Sequence, residues 1–289
     1  MIASVQRNSA SAIWVAASDA PDRARQITSG RWDGMRGFVF APNGHLVYSG
    51  DHAENWDLFL ADADGGNMRQ LSFGGDHATP TVCEGGQSVV YSASLDGPAH
   101  LWRLDMRGGA PVKLTNGQGE TDTVCDASGR WVFYWGQAAG GPSYVFKLPL
   151  PGGSATRLSD RIAVYWPVIS LDGKHVLFAS LRKDGTVDIV TVAAETGNLE
   201  FEGSIPDTAD GVDVAACWMP DNRSLAIADR RSGSPNLWSL PVLGRGVEKQ
   251  LTHFTSGSFF ACNYSPDGKL LAFARGSVQS DAVLFTAAK

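Results

Sequence analysis

The sequence predicts an all-β chain, a six-bladed β-propeller of four-stranded antiparallel blades. Three observations predict it. One pattern, an apolar strand, a tight turn and a second apolar strand, recurs six times along the chain. The equivalent residues Phe40, Cys83, Cys125, Ile169, Trp218 and Tyr264 are spaced by 43, 42, 44, 49 and 46 residues, and a period in the forties with four strands per unit is that of a propeller blade. The composition agrees: 33 glycines and nine tryptophans in 289 residues, with only 19% charged, suit short strands joined by tight turns.

The first two strands of each unit read FVFAPNGHLVYSG, TVCEGGQSVVYSA, TVCDASGRWVFYW, PVISLDGKHVLFAS, ACWMPDNRSLAIAD and CNYSPDGKLLAFAR. Pro42-Asn43-Gly44 and Pro266-Asp267-Gly268 place a preset φ early in the turn and a residue tolerant of positive φ late. In Pro220-Asp221-Asn222, asparagine takes the glycine's place. A third strand follows: WDLFLAD, HLWRLD, SYVFKLP, VDIVTVA, NLWSLP and DAVLFTA. Their alternation is that of half-buried strands. A glycine turn such as Asp64-Gly65-Gly66 leads to a fourth strand, MRQLS, PVKLT, ATRLS or EKQLT. Its one leucine among polar residues suits an outer edge.

The expected blades span about 35–73, 77–116, 119–160, 163–204, 212–253, and 258–289 with 12–30, all one domain. Arg25-Gln26-Ile27-Thr28 matches the outer-strand pattern, so the C-terminus is expected to supply three strands of the last blade and the N-terminus the fourth. Such sharing removes free sheet edges. Ile13–Val15 is then a surplus third strand. It pairs at an edge, competes with Ala282–Phe285, or is a remnant of a further blade.

Several functions drop out. The formal charge of −6 lacks the basic footprint of a nucleic-acid binder. No apolar run approaches the ~18 residues of a membrane helix, and no basic-then-apolar leader is visible at the N-terminus. The expected state is a monomer that inserts into no membrane. Four cysteines do not make a disulfide framework. Cys83 and Cys125 hold an apolar inner-strand position, and Cys217 and Cys262 precede it by one and two places, so all four are expected to be small core residues.

The strings FAPNGHLVYSG, ISLDGKHVLFAS and YSPDGKLLAFAR resemble PD40 repeats, the WD40-like repeats of the TolB C-terminal domain. The ending from Lys249 is similar to propellers fused to bacterial membrane-anchored serine/threonine kinases and winged-helix regulators. The resemblance covers roughly residues 12 to 288. CEGGQ, CDASGR and MPDNR depart from SPDGK and loosen three turns. The resemblance implies a binding platform for protein partners, placed outside the cytoplasm in the parent context.

Loops entering the inner strands and loops between second and third strands share one face, called the top. It carries the candidate ligand-binding residues Asp33, Arg36, His52, Asp76, His77, Asp122, Trp166, Arg182, Asp213, Arg230, His253 and Arg275. Asp33, Asp76, Asp122 and Asp213 recur just before inner strands, where a ring of oxygens would suit a hard divalent cation; the plainer reading is turn capping. His52, His77 and His253 would ligate a transition metal if they converged, as in the His-rich metal site of related lyase propellers. They lie in different blades without close spacing, and no cofactor is expected. The arginines would clamp a carboxylate or acidic sugar, against the commoner role of solvated surface charge. Trp14, Trp102 and Trp238 share one third-strand position and read as inter-blade packing. No GxSxG, P-loop or GxGxxG occurs, although a serine, histidine and acid can meet across a ring. The sequence therefore favours a non-enzymatic module docking a protein, peptide or glycan at the top of the central channel. The alternative is a lyase or hydrolase on acidic glycans or esters at the same place.

Overall fold

The computed structural model describes residues 2–52, 55–95, 97–204 and 215–285. Its strands form six four-stranded antiparallel sheets arranged as a propeller. From the channel outward, the first blade is Phe38–Phe40, Leu46–Asp51, Trp56–Ala61 and Arg69–Gln70. The second, third, fourth and fifth follow in the same order, starting on His77–Cys83, Gln118–Cys125, Ala163–Ile169 and Ala216–Trp218. The sixth is built from both ends of the chain: Ser258–Tyr264, Leu270–Phe285, Ile2–Ala17 and Arg25–Gln26.

Strand alternation explains how the ring closes. In a middle strand, successive side chains point to opposite faces of the blade. Leu46 and Tyr48 enter the core between the sixth and first blades, while Val47 enters the core between the first and second. Val89 and Tyr91 share that second core, and Val90 enters the next. Val176 and Phe178 face the third blade, and Leu177 faces the fifth. The outcome is six apolar cores, one per seam. Each fully buried large side chain contributes roughly 1.5–3 kcal/mol, so the energy that holds the ring is spread around it. The repeated tryptophans sit as expected: Trp14, Trp102 and Trp238 each pack against a seam core.

The sixth blade departs from the expected three-to-one split; each end supplies two strands. Ala282–Phe285 is no third strand. It continues the second strand and pairs with Ile2–Val5 in an unbroken register from Ile2↔Phe285 to Ala17↔Leu270. Ile13–Val15 takes the third-strand place, with Ile13 opposite Ala274 and Trp14 opposite Gln26. Burial decides this. Ile13 and Val15 fill the core against the first blade, and Trp14 on the other face packs against the core shared with the fifth.

The cysteines also correct the sequence reading. They are buried, but they are paired: Cys83 with Cys125, and Cys217 with Cys262, with Cα atoms 5.7 and 5.6 Å apart. The separations, 42 and 45 residues, are each one repeat. One repeat carries a residue onto the neighbouring inner strand, within disulfide reach. The bridges staple the second blade to the third and the fifth to the sixth, seams on opposite sides of the ring.

Candidate functional site

The inner strands converge on a central cavity of about 590 Å³, lined from all six blades. Alternation again decides what faces it. Phe40 turns into the seam core, while Val39 lines the cavity and Phe38, largely buried in that core, also borders it. Val124, Val168, Ala216 and Ala261 extend this apolar wall, with Met35 and Phe260 among its larger side chains. The second and third blades present hydroxyls instead: Thr79, Thr81, Thr121 and Thr123. Asp122 has φ of 56°, and Thr79 has φ of 48°, an uncommon conformation for a β-branched residue. Hydrogen bonds hold the Thr79 kink, among them one between its hydroxyl and that of Ser92 at 3.0 Å. The Thr79 N–H donates to the Arg36 carbonyl (2.7 Å), its carbonyl accepts from the Thr123 hydroxyl (2.6 Å), and its hydroxyl accepts from the Asp122 N–H (3.1 Å). These threonines were not singled out from the sequence; their i, i+2 spacing in HATPTVC and ETDTVC was the signal.

The structure scatters the other candidates. Arg36 and Asp122 line the cavity. Arg36 pairs with Asp76 and lies 4.2 Å from the Trp56 ring centroid; Trp56 stacks in turn on Trp32, 5.6 Å away and 7° from parallel. Asp33 is wholly buried. It accepts from the Gly30 N–H at 2.7 Å and contacts His52 Nε2 at 2.9 Å. A Cβ at Gly30 or Gly50 would come within 2.4 or 2.5 Å of its carboxylate oxygen, which is why both positions are glycine. His253 contacts Asp22 at 2.8 Å, tying the fifth blade's exit loop to the N-terminal segment. Arg182 pairs with Asp188, and Arg230 is exposed in the following blade's turn. Asp213 and the Trp166 side chain lie outside the described residues. Among the described residues, no three His, Cys, Asp or Glu side chains gather as a metal site would require.

A serine, a histidine and an aspartate do meet, at the seam of the first and second blades. His77 Nδ1 lies 3.0 Å from Ser72 Oγ, 3.1 Å from Asp57 Oδ1 and 3.0 Å from the Trp56 carbonyl. One ring nitrogen takes every contact, whereas a relay needs one nitrogen for the nucleophile and the other for the acid. Ser72 Oγ also accepts the Leu58 N–H at 2.9 Å. The same outer-hydroxyl bond to a third-strand N–H recurs as Ile13 to Thr28, Leu101 to Thr115 and Leu237 to Thr252, each 2.9 Å. The trio is thus an elaborated form of a clasp repeated around the ring.

Burial pushes the His77 imidazole below its ordinary range, and the nearby Asp57 only partly offsets this. The folded chain therefore takes up this proton less readily than the unfolded chain. The stability involved is fully present above about pH 6.5, the unfolded value, and is lost as pH falls from there through the lower folded value. Urea midpoints at pH 7.5 and 5.5 should drop more for the wild-type protein than for His77→Gln; equal drops would show that His77 does not titrate this way.

No family profile matches the chain. Curated relatives do, two of which follow. An uncharacterized protein of Agrobacterium fabrum is 28% identical over 145 residues, 50% of this chain and 46% of that protein. The Tol-Pal system protein TolB of Anaeromyxobacter sp. (strain K) is 29% identical over 119 residues, 41% of this chain and 26% of that protein. The matches thus span less than half the length of these relatives. Among solved structures, a putative TolB from Agrobacterium tumefaciens superposes with a TM-score of 0.70 at 17% identity, covering 93% of this chain and 99% of that one. The chain has the six-bladed propeller fold of this TolB structure. Another structure shares the same fold: an oligogalacturonate lyase in complex with manganese reaches a TM-score of 0.57 at 14% identity, covering 87% and 79% of the two chains. In this propeller, His52, His77 and His253 each answer to a separate carboxylate, Asp33, Asp57 and Asp22.

Proposed function

We propose that this propeller is a non-enzymatic docking module that takes an extended protein segment or peptide into the top of its central channel. One observation carries the reading: the cavity wall is mainly of apolar and hydroxyl side chains, with Arg36, Asp122 and Asn263 as its other polar groups, while the histidines are occupied in clasps between strands. Such a surface recognises shape and backbone rather than performing acid–base chemistry. The likeness to TolB propellers supports the same reading. The paired cysteines support an oxidising, extracytoplasmic setting, and no helix among the described residues is long and apolar enough to cross a membrane.

The test uses Val39→Arg, which places a long cation at the channel wall, with a thermal melt to confirm that the seam core on which Val39 packs is kept. A random peptide library displayed against both proteins should yield peptides held by the wild type and lost by at least tenfold on the variant. Failure to enrich peptides, or turnover of uronate or ester substrates that Val39→Arg abolishes, would overturn the proposal in favour of an enzyme.

A further inference from the structure

Arginines on the top face differ in how their charge is met. Arg36 faces Asp76, Arg182 faces Asp188, and Arg231 faces Asp229 and Glu248. Arg275 is held differently. Its guanidinium carbon lies 4.1 Å from the Phe254 ring centroid and 5.9 Å from that of Phe259. One Nη donates to the Ser256 carbonyl, and its Nε is buried with no partner. Among the described residues no carboxylate pairs with it. Burial acts on this guanidinium with no acid to offset it.

The backbone is shaped around this cation. Gly257 has φ of 86°, and a Cβ there would come within 3.0 Å of the guanidinium and 2.9 Å of the Gly276 carbonyl. Any other residue would be strained and would crowd Arg275. The strand bearing Arg275 pairs with Ser258–Tyr264, where the register breaks between Phe259 and Ala261; Phe260 and Ala261 line the central cavity. The cation therefore stands behind the channel wall at the top of the seam between the fifth and sixth blades. A guanidinium positioned by aromatic faces and one carbonyl keeps further N–H donors for a planar anion.

We propose that Arg275 is a carboxylate-binding subsite, receiving an Asp or Glu side chain of the segment that docks in the channel. This rests on the docking reading above and names one chemical requirement of the partner.

The test follows the Arg275 guanidinium directly, by its ¹⁵Nε–H resonance, assigned with Arg275→Lys. The probe is the blocked tripeptide acetyl-Gly-Asp-Gly-amide, titrated at constant ionic strength against its Asn counterpart and against inorganic phosphate. The expected result is a saturable shift with the Asp peptide, at least tenfold weaker with the Asn peptide. Phosphate acting as well as the Asp peptide would replace a carboxylate site by a general anion site and overturn the assignment. No shift, or the same shift with sodium chloride alone, would overturn it too. So would a change in the free protein's resonance on Asp213→Asn, which would show that the chain supplies its own carboxylate. Because the readout is Arg275 itself, it can fail while peptide capture by the channel succeeds, and the two proposals are separable.

Discussion

Replacing Cys217 and Cys262 together by alanine should lower the unfolding free energy by about 4 kcal/mol. The bridge closes a loop of 45 residues, and in the chain-entropy account a loop of this length restrains the unfolded chain by roughly that amount. It also fastens the C-terminal half of the shared sixth blade to the fifth. Ring closure would then rest on strand pairing and seam cores alone. Urea unfolding with and without reductant measures this: the oxidised double variant should unfold at a lower midpoint than the oxidised wild type, and under reductant, which also opens Cys83–Cys125, the two proteins should share one still lower midpoint. The Cys83/Cys125 pair closes 42 residues and should behave alike. A midpoint unmoved by reductant would show that the sulfurs are not bridged and would restore the simpler reading of small core residues.

Removing the buried carboxylate at Asp33 should be nearly as costly, about 3 kcal/mol for Asp33→Ala. Its loss strands the Gly30 N–H and the His52 ring, and a buried donor left without its acceptor costs about 1–3 kcal/mol by itself. Asp76→Ala should cost less than about 1 kcal/mol, because its pair with Arg36 is solvent-exposed and such pairs contribute little. Thermal unfolding of the two variants side by side checks the contrast. If Asp76 proved the costlier site, the division into buried clasp and exposed rim would be wrong.

That contrast shows where the sequence reading of the site stopped. Asp33, Asp76 and Asp122 occupy similar places before inner strands, and as a linear pattern they suggest a ring of equivalent carboxylates. In the structure one is sealed beneath His52, one pairs at the surface, and one lines the channel. The repeat sets the backbone position, but burial follows from what the adjoining loops place above it. The histidines show the same limit: their spacing did not reveal that His52 meets Asp33, that His77 meets Asp57 across a seam, or that His253 meets Asp22 from the opposite end of the chain.

By itself the sequence determined the fold class, the number of blades and which strand residues are apolar. Period-two alternation and a repeat in the forties depend only on local backbone geometry and turn chemistry, which the chain carries in order. Only the tertiary structure decided how the ends share the sixth blade, which cysteines bond, and which side chains reach the channel. Those outcomes depend on neighbours one repeat away or at the other end of the chain, brought together when the six seam cores close.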